Sequence, residues 1–341
     1  MSDLKVNKAG IHRDVYKGVE TTLCKGCGHN SITNHLIKAL YEFGLEPWRM
    51  AKLSGIGCSS KTTAYFVSQA HGFNSVHGRM PSIALGANMA NRTLKLIGVS
   101  GDGDTASIGI GQFVHLCRRN LDVVYIIENN GVYGLTKGQF SATANKGSKA
   151  KKGDTNPLEE IDCCAHAILL GANYVGRSFS GDGKQVVPLL KGALANRGSA
   201  ILDIISPCVT FNDHPGSTMS YDYMKEHMLP LHTVDYVEPQ PEVVVDYAEG
   251  STKEVKLPDG GTIVLKKLER DYDPTSKVEA ISRLDEARKN GQHLTGLIYA
   301  DPDRPDFASL QGLIDTPLYA LDAAALRPSR QDLATVMGEY S

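Results

Sequence analysis

A chain of 341 residues, 41% of them hydrophobic, is long enough to bury a full core as one large domain with an appendage or as two modest domains. The formal net charge of -2 argues against nucleic-acid binding, which calls for a basic balance or a basic face to neutralise phosphates. No stretch approaches a membrane span in length, and the opening residues Met1 to Lys5 lack the charged-then-apolar run of a signal peptide, so a cytoplasmic protein is expected.

In chain order, CKGCGHN places Cys24 and Cys27 at the start of a first helical pattern, Ser31 to Phe43. Apolar, β-branched runs at Leu94 to Val99, Val123 to Ile127 and Ile201 to Ile205, with a weaker one at Tyr174-Val175, end in turn-forming residues and predict buried parallel strands. Helical patterns at Ile108 to Arg119 and Val187 to Ala195 alternate with them. That alternation predicts an α/β fold, a doubly wound parallel sheet, whose ligands sit at the carboxyl ends of strands. Composition shifts near Val234, which predicts a ligand-binding domain over 1–234 and a C-terminal tail over 235–341. Within the tail, Glu242 to Leu268 reads as a hairpin about Pro258-Asp259-Gly260-Gly261 and Ser276 to Lys289 as a short amphipathic helix. Asp301 to Pro305 begins an arm that needs another surface to pack on.

Gly101-Asp102-Gly103-Asp104 lies directly after a predicted strand and before a helix, where glycines let backbone N–H groups approach a phosphate. Alone it reads first as a tight strand-to-helix turn. Asn129-Asn130 closes the next strand one βαβ excursion later, so two ligand loops would lie side by side. Mg²⁺ takes oxygen ligands, and Asp102, the Asn130 amide oxygen and a backbone carbonyl just beyond suit it. The two motifs resemble those of the thiamine diphosphate family. The resemblance implies that Asp102 and Asn130 bind the metal through side chains and Val132 through its carbonyl. Gly101, Gly103 and Asp104 would lie along the diphosphate, with Gly134 and Leu135 in the return loop.

Seven cysteines, an odd number, point away from a disulfide framework. A CxxC pair has zinc and thioredoxin-type readings. Zinc would want a second close pair, and a redox pair would want a strand before Cys24. Cys58 in GIGCSSK and Cys208 in ISPCVTFND sit in loops that a fold can bring together, and four thiolates hold a 4Fe-4S cluster. CxxCGH, GIGCSS, HGR, GDGD, NNxVYGLTKGQ and SPC occur here in the order found in beta subunits of 2-oxoacid:ferredoxin oxidoreductases, and the chain resembles that family over most of Thr22 to His227.

The resemblance implies Cys24, Cys27, Cys58 and Cys208 as cluster ligands, leaving Cys117, Cys163 and Cys164 structural. It also implies that Ile56, Gly57 and Ser59 touch thiamine diphosphate and that His77 and Arg79 lie near cofactor or substrate. Lys61 is a candidate for the substrate carboxylate, or an exposed lysine at a helix start. The implied activity is oxidative decarboxylation of a 2-oxoacid with coenzyme A, electrons leaving through the cluster to ferredoxin. SFSGD, SPCVTFNDHPGST and SYDY are closer to 2-oxoglutarate enzymes than to pyruvate enzymes. The glutamate that activates thiamine has no counterpart here, which implies an alpha subunit in an alpha2beta2 assembly. Lys146, Lys149, Lys151 and Lys152 could steer an acidic ferredoxin or simply form a solvated loop. The rival readings are a non-redox thiamine enzyme subunit, which leaves the four cysteines unexplained, and a zinc-binding module.

Overall fold

The structure, a computed structural model, describes residues 6–149, 154–212, 219, 224, 227–230, 252–256, 262–266 and 272–340. Its centre is an eight-stranded sheet built from β1 (Met50–Ser54), β2 (His71–Asn74), β3 (Lys95–Gly101), β4 (Val123–Asn129), β7 (Tyr174–Phe179), β8 (Ser199–Ile205), β9 (Met228–Pro230) and β12 (His293–Ala300). The spatial order is β2-β1-β3-β4-β8-β7-β12-β9. The six strands from β2 to β7 are mutually parallel, and β12 closes against β7 in the opposite direction.

Strand periodicity divides the core between two faces. In β4, Val123, Tyr125 and Ile127 point into one apolar cluster while Val124 and Ile126 point into the other. The first cluster is roofed by α3 (Met80–Ala90), α4 (Ile110–Arg119), α5 (Cys163–Leu170) and α7 (Lys277–Lys289). The second is roofed by α1 (Gly28–Phe43) and α6 (Gly183–Ala195), with Ile32, Leu36 and Leu40 of α1 packed towards Val186, Leu190 and Ala193 of α6. This is the doubly wound sheet that the alternating pattern predicts.

The tail differs from expectation. The helix expected over Ser276 to Lys289 is α7, and β12 follows it directly into the sheet. Ala280, Leu284, Ala287, Leu294 and Ile298 lie in the same cluster as Tyr125 and Ile201, so this part of 235–341 is core. The physical reason is the open edge of β7, whose apolar face needs cover and whose backbone needs a partner. Asp301 to Pro305 is also docked on this chain. The Asp301 N–H donates to the Asn173 carbonyl at 2.8 Å, and the Asn120 amide donates to the Pro305 carbonyl at 3.1 Å.

The predicted hairpin is present as β10 (Thr252–Lys256) and β11 (Thr262–Lys266), paired antiparallel from Thr252↔Lys266 to Lys256↔Thr262. Its turn residues, the composition shift at Val234 and the SYDY segment lie outside the described residues. After the short α8 (Phe307–Leu310) and α9 (Ala323–Leu326) the chain ends in α10 (Arg330–Glu339). α10 is opened by a capping box in which Ser329 and Asp332 exchange side-chain and backbone hydrogen bonds. Every residue from Asp322 to Tyr340 is exposed. Among the described residues no helix is long and apolar enough to cross a membrane.

Candidate active site

Four parallel strands deliver their carboxyl ends to one edge of the sheet, and each expected loop starts there. Cys58 follows β1, Asp102 follows β3, Asn130 follows β4 and Cys208 follows β8. The first turn after β3 is a π-helical stretch, Gly103–Ile108, which begins at the residue after Asp102.

Asp102 is 1% exposed. Its carboxylate accepts from the Asn130 N–H at 3.3 Å, from the Thr143 hydroxyl at 2.7 Å and from the Ser141 hydroxyl. These partners are all neutral. Burial therefore pushes the Asp102 carboxyl above its ordinary range, with the Ser141 and Thr143 hydrogen bonds working against it. A buried carboxylate with no cationic partner among the described residues, beside an amide-bearing loop, is a donor set that suits a hard divalent cation. Asn130 turns its own loop by accepting from the Val132 N–H at 3.0 Å, and the Asn212 amide fixes it by donating to the Asn130 carbonyl at 2.6 Å. Val132 pairs with Phe140 in the two-residue ladder of β5 (Val132–Tyr133) and β6 (Gln139–Phe140). Gly103 is hard against the Tyr133 ring, where an added Cβ would come within 2.5 Å, and the Tyr133 hydroxyl donates to the Gly103 carbonyl at 3.1 Å.

Asp104, expected along the diphosphate, is oriented elsewhere. One oxygen accepts from the Gly78 N–H at 2.8 Å and meets His77 Nδ1, and the other accepts from the Ser100 hydroxyl at 2.6 Å. It holds the HGR loop: Gly78 adopts φ +70°, and a Cβ there would strike the Gly109 backbone at 2.7 Å. His77 is thereby aimed by Asp104 and lies edge-on to Tyr133, with ring centroids 6.5 Å apart. Arg79, Lys61 and Leu135 are exposed around the site, as is Ile56 at 38%. Gly101 approaches the Ser59 hydroxyl, and Ser59 is buried.

Cys24, Cys27, Cys58 and Cys208 come together above the same edge. A Cβ on Gly134 would lie 3.7 Å from the sulfur of both Cys58 and Cys208. The Thr210 hydroxyl, two residues after Cys208, lies 3.6 Å from the Cys24 sulfur, and the Gly28 N–H donates to the Pro207 carbonyl. Burial pushes the Cys27 thiol up to about 12, with Cys208 and Cys24 adding to the rise. Cys58 is raised chiefly by burial and then by Cys208, while the Lys61 ammonium acts the other way. All four are free thiols, so each sulfur is available as a ligand. Among the described residues, no three His, Cys, Asp or Glu side chains are drawn to the single point that a lone metal ion needs. Cys117, Cys163 and Cys164 lie in the apolar core, and burial raises their thiols.

A buried polar node was not foreseen. Glu128, at the end of β4, accepts from the Thr62 hydroxyl at 3.1 Å on both oxygens, and His29 Nδ1 lies 3.7 Å away. His29 also bonds the Ser206 hydroxyl at 2.6 Å. Burial holds the Glu128 carboxyl well above the usual range, and it lowers His29 to about 4. The one available signal was a charged residue inside the apolar run VVYIIEN. A cavity of about 630 Å³ abuts the back of the Asn129-Asn130 loop through Asn129 and Thr143, but none of the expected site residues lines it. Within it Arg177 is paired to Asp162 at 2.7 Å and Asp203 at 2.9 Å, and Lys146 to Glu159 at 2.6 Å. Lys149 is exposed, and Lys151 and Lys152 lie outside the described residues.

Residues 55–204 match the family model of the thiamine pyrophosphate enzyme C-terminal TPP binding domain. The chain is 41% identical over 191 residues to the 2-oxoacid:ferredoxin oxidoreductase subunit beta of Saccharolobus solfataricus, covering 56% of this chain and 63% of that one. It is 36% identical over 189 residues to the 2-oxoglutarate synthase subunit KorB of Methanocaldococcus jannaschii, covering 55% of this chain and 69% of that one. The chain thus spans less than two thirds of the Saccharolobus relative and slightly more of the Methanocaldococcus one. Among solved structures it is similar to the 2-oxoglutarate:ferredoxin oxidoreductase of Magnetococcus marinus, determined with 2-oxoglutarate, coenzyme A and succinyl-CoA bound. That likeness has a TM-score of 0.74 at 27% identity and covers 97% of this chain and 96% of that one. A strand-end site of this construction, on a sheet of this order and with relatives of this kind, means that the chain belongs to the family of 2-oxoacid:ferredoxin oxidoreductase beta subunits, built on a thiamine pyrophosphate-binding domain.

Proposed function

We propose that this chain is the cofactor-carrying subunit of an enzyme that oxidatively decarboxylates 2-oxoglutarate with coenzyme A to succinyl-CoA and carbon dioxide, passing electrons to ferredoxin. What supports this reading is the meeting of the Asp102 and Asn130 loops with the loops of Cys58 and Cys208 at the carboxyl ends of neighbouring strands. Asp102, Asn130 and the Val132 carbonyl would hold Mg²⁺. Gly101, Gly103 and the first N–H groups of the π-helical turn would face the diphosphate, and Cys24, Cys27, Cys58 and Cys208 would hold a 4Fe-4S cluster. Thiamine diphosphate supplies the electron sink that loss of carbon dioxide from a 2-oxoacid requires, and an iron–sulfur cluster supplies one-electron transfer.

The chain's own residues supply position and charge. Ser59 and Cys58 share one turn, so the expected cofactor contact and the cluster ligand are a residue apart, which keeps the electron path short. His77, whose Nδ1 meets Asp104, keeps its Nε2 as a group that can accept a proton or a hydrogen bond from substrate. Lys61 and Arg79 offer exposed cations to an anionic acid. Ile56, Val76 and Leu135, on loops, and Ile108, at the end of the π-helical stretch, are exposed apolar side chains, which suits cover by an alpha subunit that also brings the activating glutamate.

The test is anaerobic co-purification with the alpha partner, followed by coenzyme-A-dependent reduction of a viologen dye with 2-oxoglutarate or pyruvate. Reduction with 2-oxoglutarate is expected to exceed that with pyruvate. An iron- and thiamine-loaded complex that reduces nothing with either acid would overturn the redox assignment.

A further inference from the structure

We propose that Glu128 is a positioning residue whose buried hydrogen-bond node locks the cysteine-bearing segments and the metal loop into one unit. The inference rests on the assignment of the four cysteines to a cluster. Each member of the node stands close in sequence to an expected ligand: His29 two residues after Cys27, Thr62 four after Cys58, Ser206 two before Cys208 and Glu128 two before Asn130. None is more than 2% exposed. The Thr62 hydroxyl reaches both Glu128 oxygens at 3.1 Å, His29 lies 3.7 Å from the same carboxyl, and His29 and Ser206 are bonded at 2.6 Å. The Thr62 and His29 segments, distant in sequence, therefore approach one side chain of β4 immediately before the Asn129-Asn130 turn, and the Ser206 segment reaches it through His29.

The placement is costly for folding alone. β4 is otherwise apolar up to this residue, and a carboxyl among Val123 to Ile127 would be replaced by an aliphatic side chain if packing were its only task. What a buried polar node adds is a restricted geometry, because groups shut away from water must find their partners within the node. Outer partners of this kind hold ligand side chains in register and tune the bound group. Here one node would do so for both cofactors, so that the cluster and the metal loop keep a constant separation.

The test uses the anaerobically purified complex with Thr62→Val, Thr62→Ser and Glu128→Ala. The low-temperature electron paramagnetic resonance spectrum of the reduced cluster, its midpoint potential and the affinity for thiamine diphosphate with Mg²⁺ are compared with wild type. Thr62→Val and Glu128→Ala are expected to alter the spectrum, shift the potential and weaken thiamine diphosphate binding several-fold. Thr62→Ser, which keeps the hydroxyl, is expected to restore all three. Wild-type spectrum and potential in Thr62→Val overturn the proposal, and this near-isosteric variant decides even if Glu128→Ala does not fold. A wild-type complex without iron would instead overturn the cluster assignment and the proposal with it.

Discussion

Lys52 is 6% exposed, and its ammonium donates to the carbonyls of Thr63 and Phe66, both at 2.8 Å, closing the segment that carries Cys58. Burial lowers its pKa from 10.5 to about 8. Below about 8 both folded and unfolded chains carry the charge, and the fold bears its full burial. Between about 8 and 10.5 only the unfolded chain binds the proton, so stability contributed at this site rises with pH across that window. The rise has an upper bound of about 3 kcal/mol. Lys52→Met is expected to flatten it, which denaturant unfolding at pH 7.5 and 10 would reveal as a smaller difference than in wild type. Gly103→Ala places a methyl group against Tyr133 and should weaken thiamine diphosphate binding by roughly tenfold, as overpacking costs about 1–3 kcal/mol. Calorimetric titration would measure it, and the same overpacking is expected to lower the melting temperature. Asp102 and Asn130 were legible in the sequence because their motif is local. Ser141, Thr143, His29, Thr62 and Ser206 were not, because each finds its partner across the fold and a lone hydroxyl or imidazole carries no spacing signal. Asp104 shows the same limit, since nothing local said that Ser100 and Gly78 would claim its oxygens.

Central strands announced themselves as elements, and edges did not. β3, β4 and β8 are buried on both faces, so their sequences are nearly unbroken apolar runs. β2 is HGFN with all four residues exposed, and it is a strand only because β1 offers an open edge. β12 lay beyond the composition shift and was absorbed into an expected tail, although HLTGLIYA is as apolar as a central strand. Its integration with α7 makes a measurable difference. Leu284→Ala, at a site 4% exposed between α7 and the main cluster, is expected to destabilise the protein by about 2–5 kcal/mol in denaturant unfolding. A peripheral helix of a tail would lose far less.

At the scale of the molecule, cover is uneven. β12 covers the side of β7 and pairs in turn with β9, and Arg92 secures the region just after α8 by donating to the Leu313 carbonyl at 2.6 Å and pairing with Asp315 at 3.2 Å. Beyond that anchor the exposed α9 and α10 contribute no buried side chain. Deleting 317–341 should therefore leave the melting temperature of the chain unchanged, as differential scanning calorimetry would record. Any loss on deletion should appear in assembly with other subunits.

The late position of β12 also orders events during synthesis. Cys208 is the last of the four cysteines, and Ala300, the end of β12, follows it by 300 − 208 = 92 residues. At translation rates of roughly 5–20 residues per second, about 5–18 s separate the two. During that interval every expected iron ligand has been made while the sheet edge that buries Leu294 and Ile298 has not. Under the proposed cluster assignment, a nascent chain at this stage would offer the four expected ligand thiols on an unfinished core, and iron delivery would compete with thiol oxidation for them before the polypeptide leaves the ribosome.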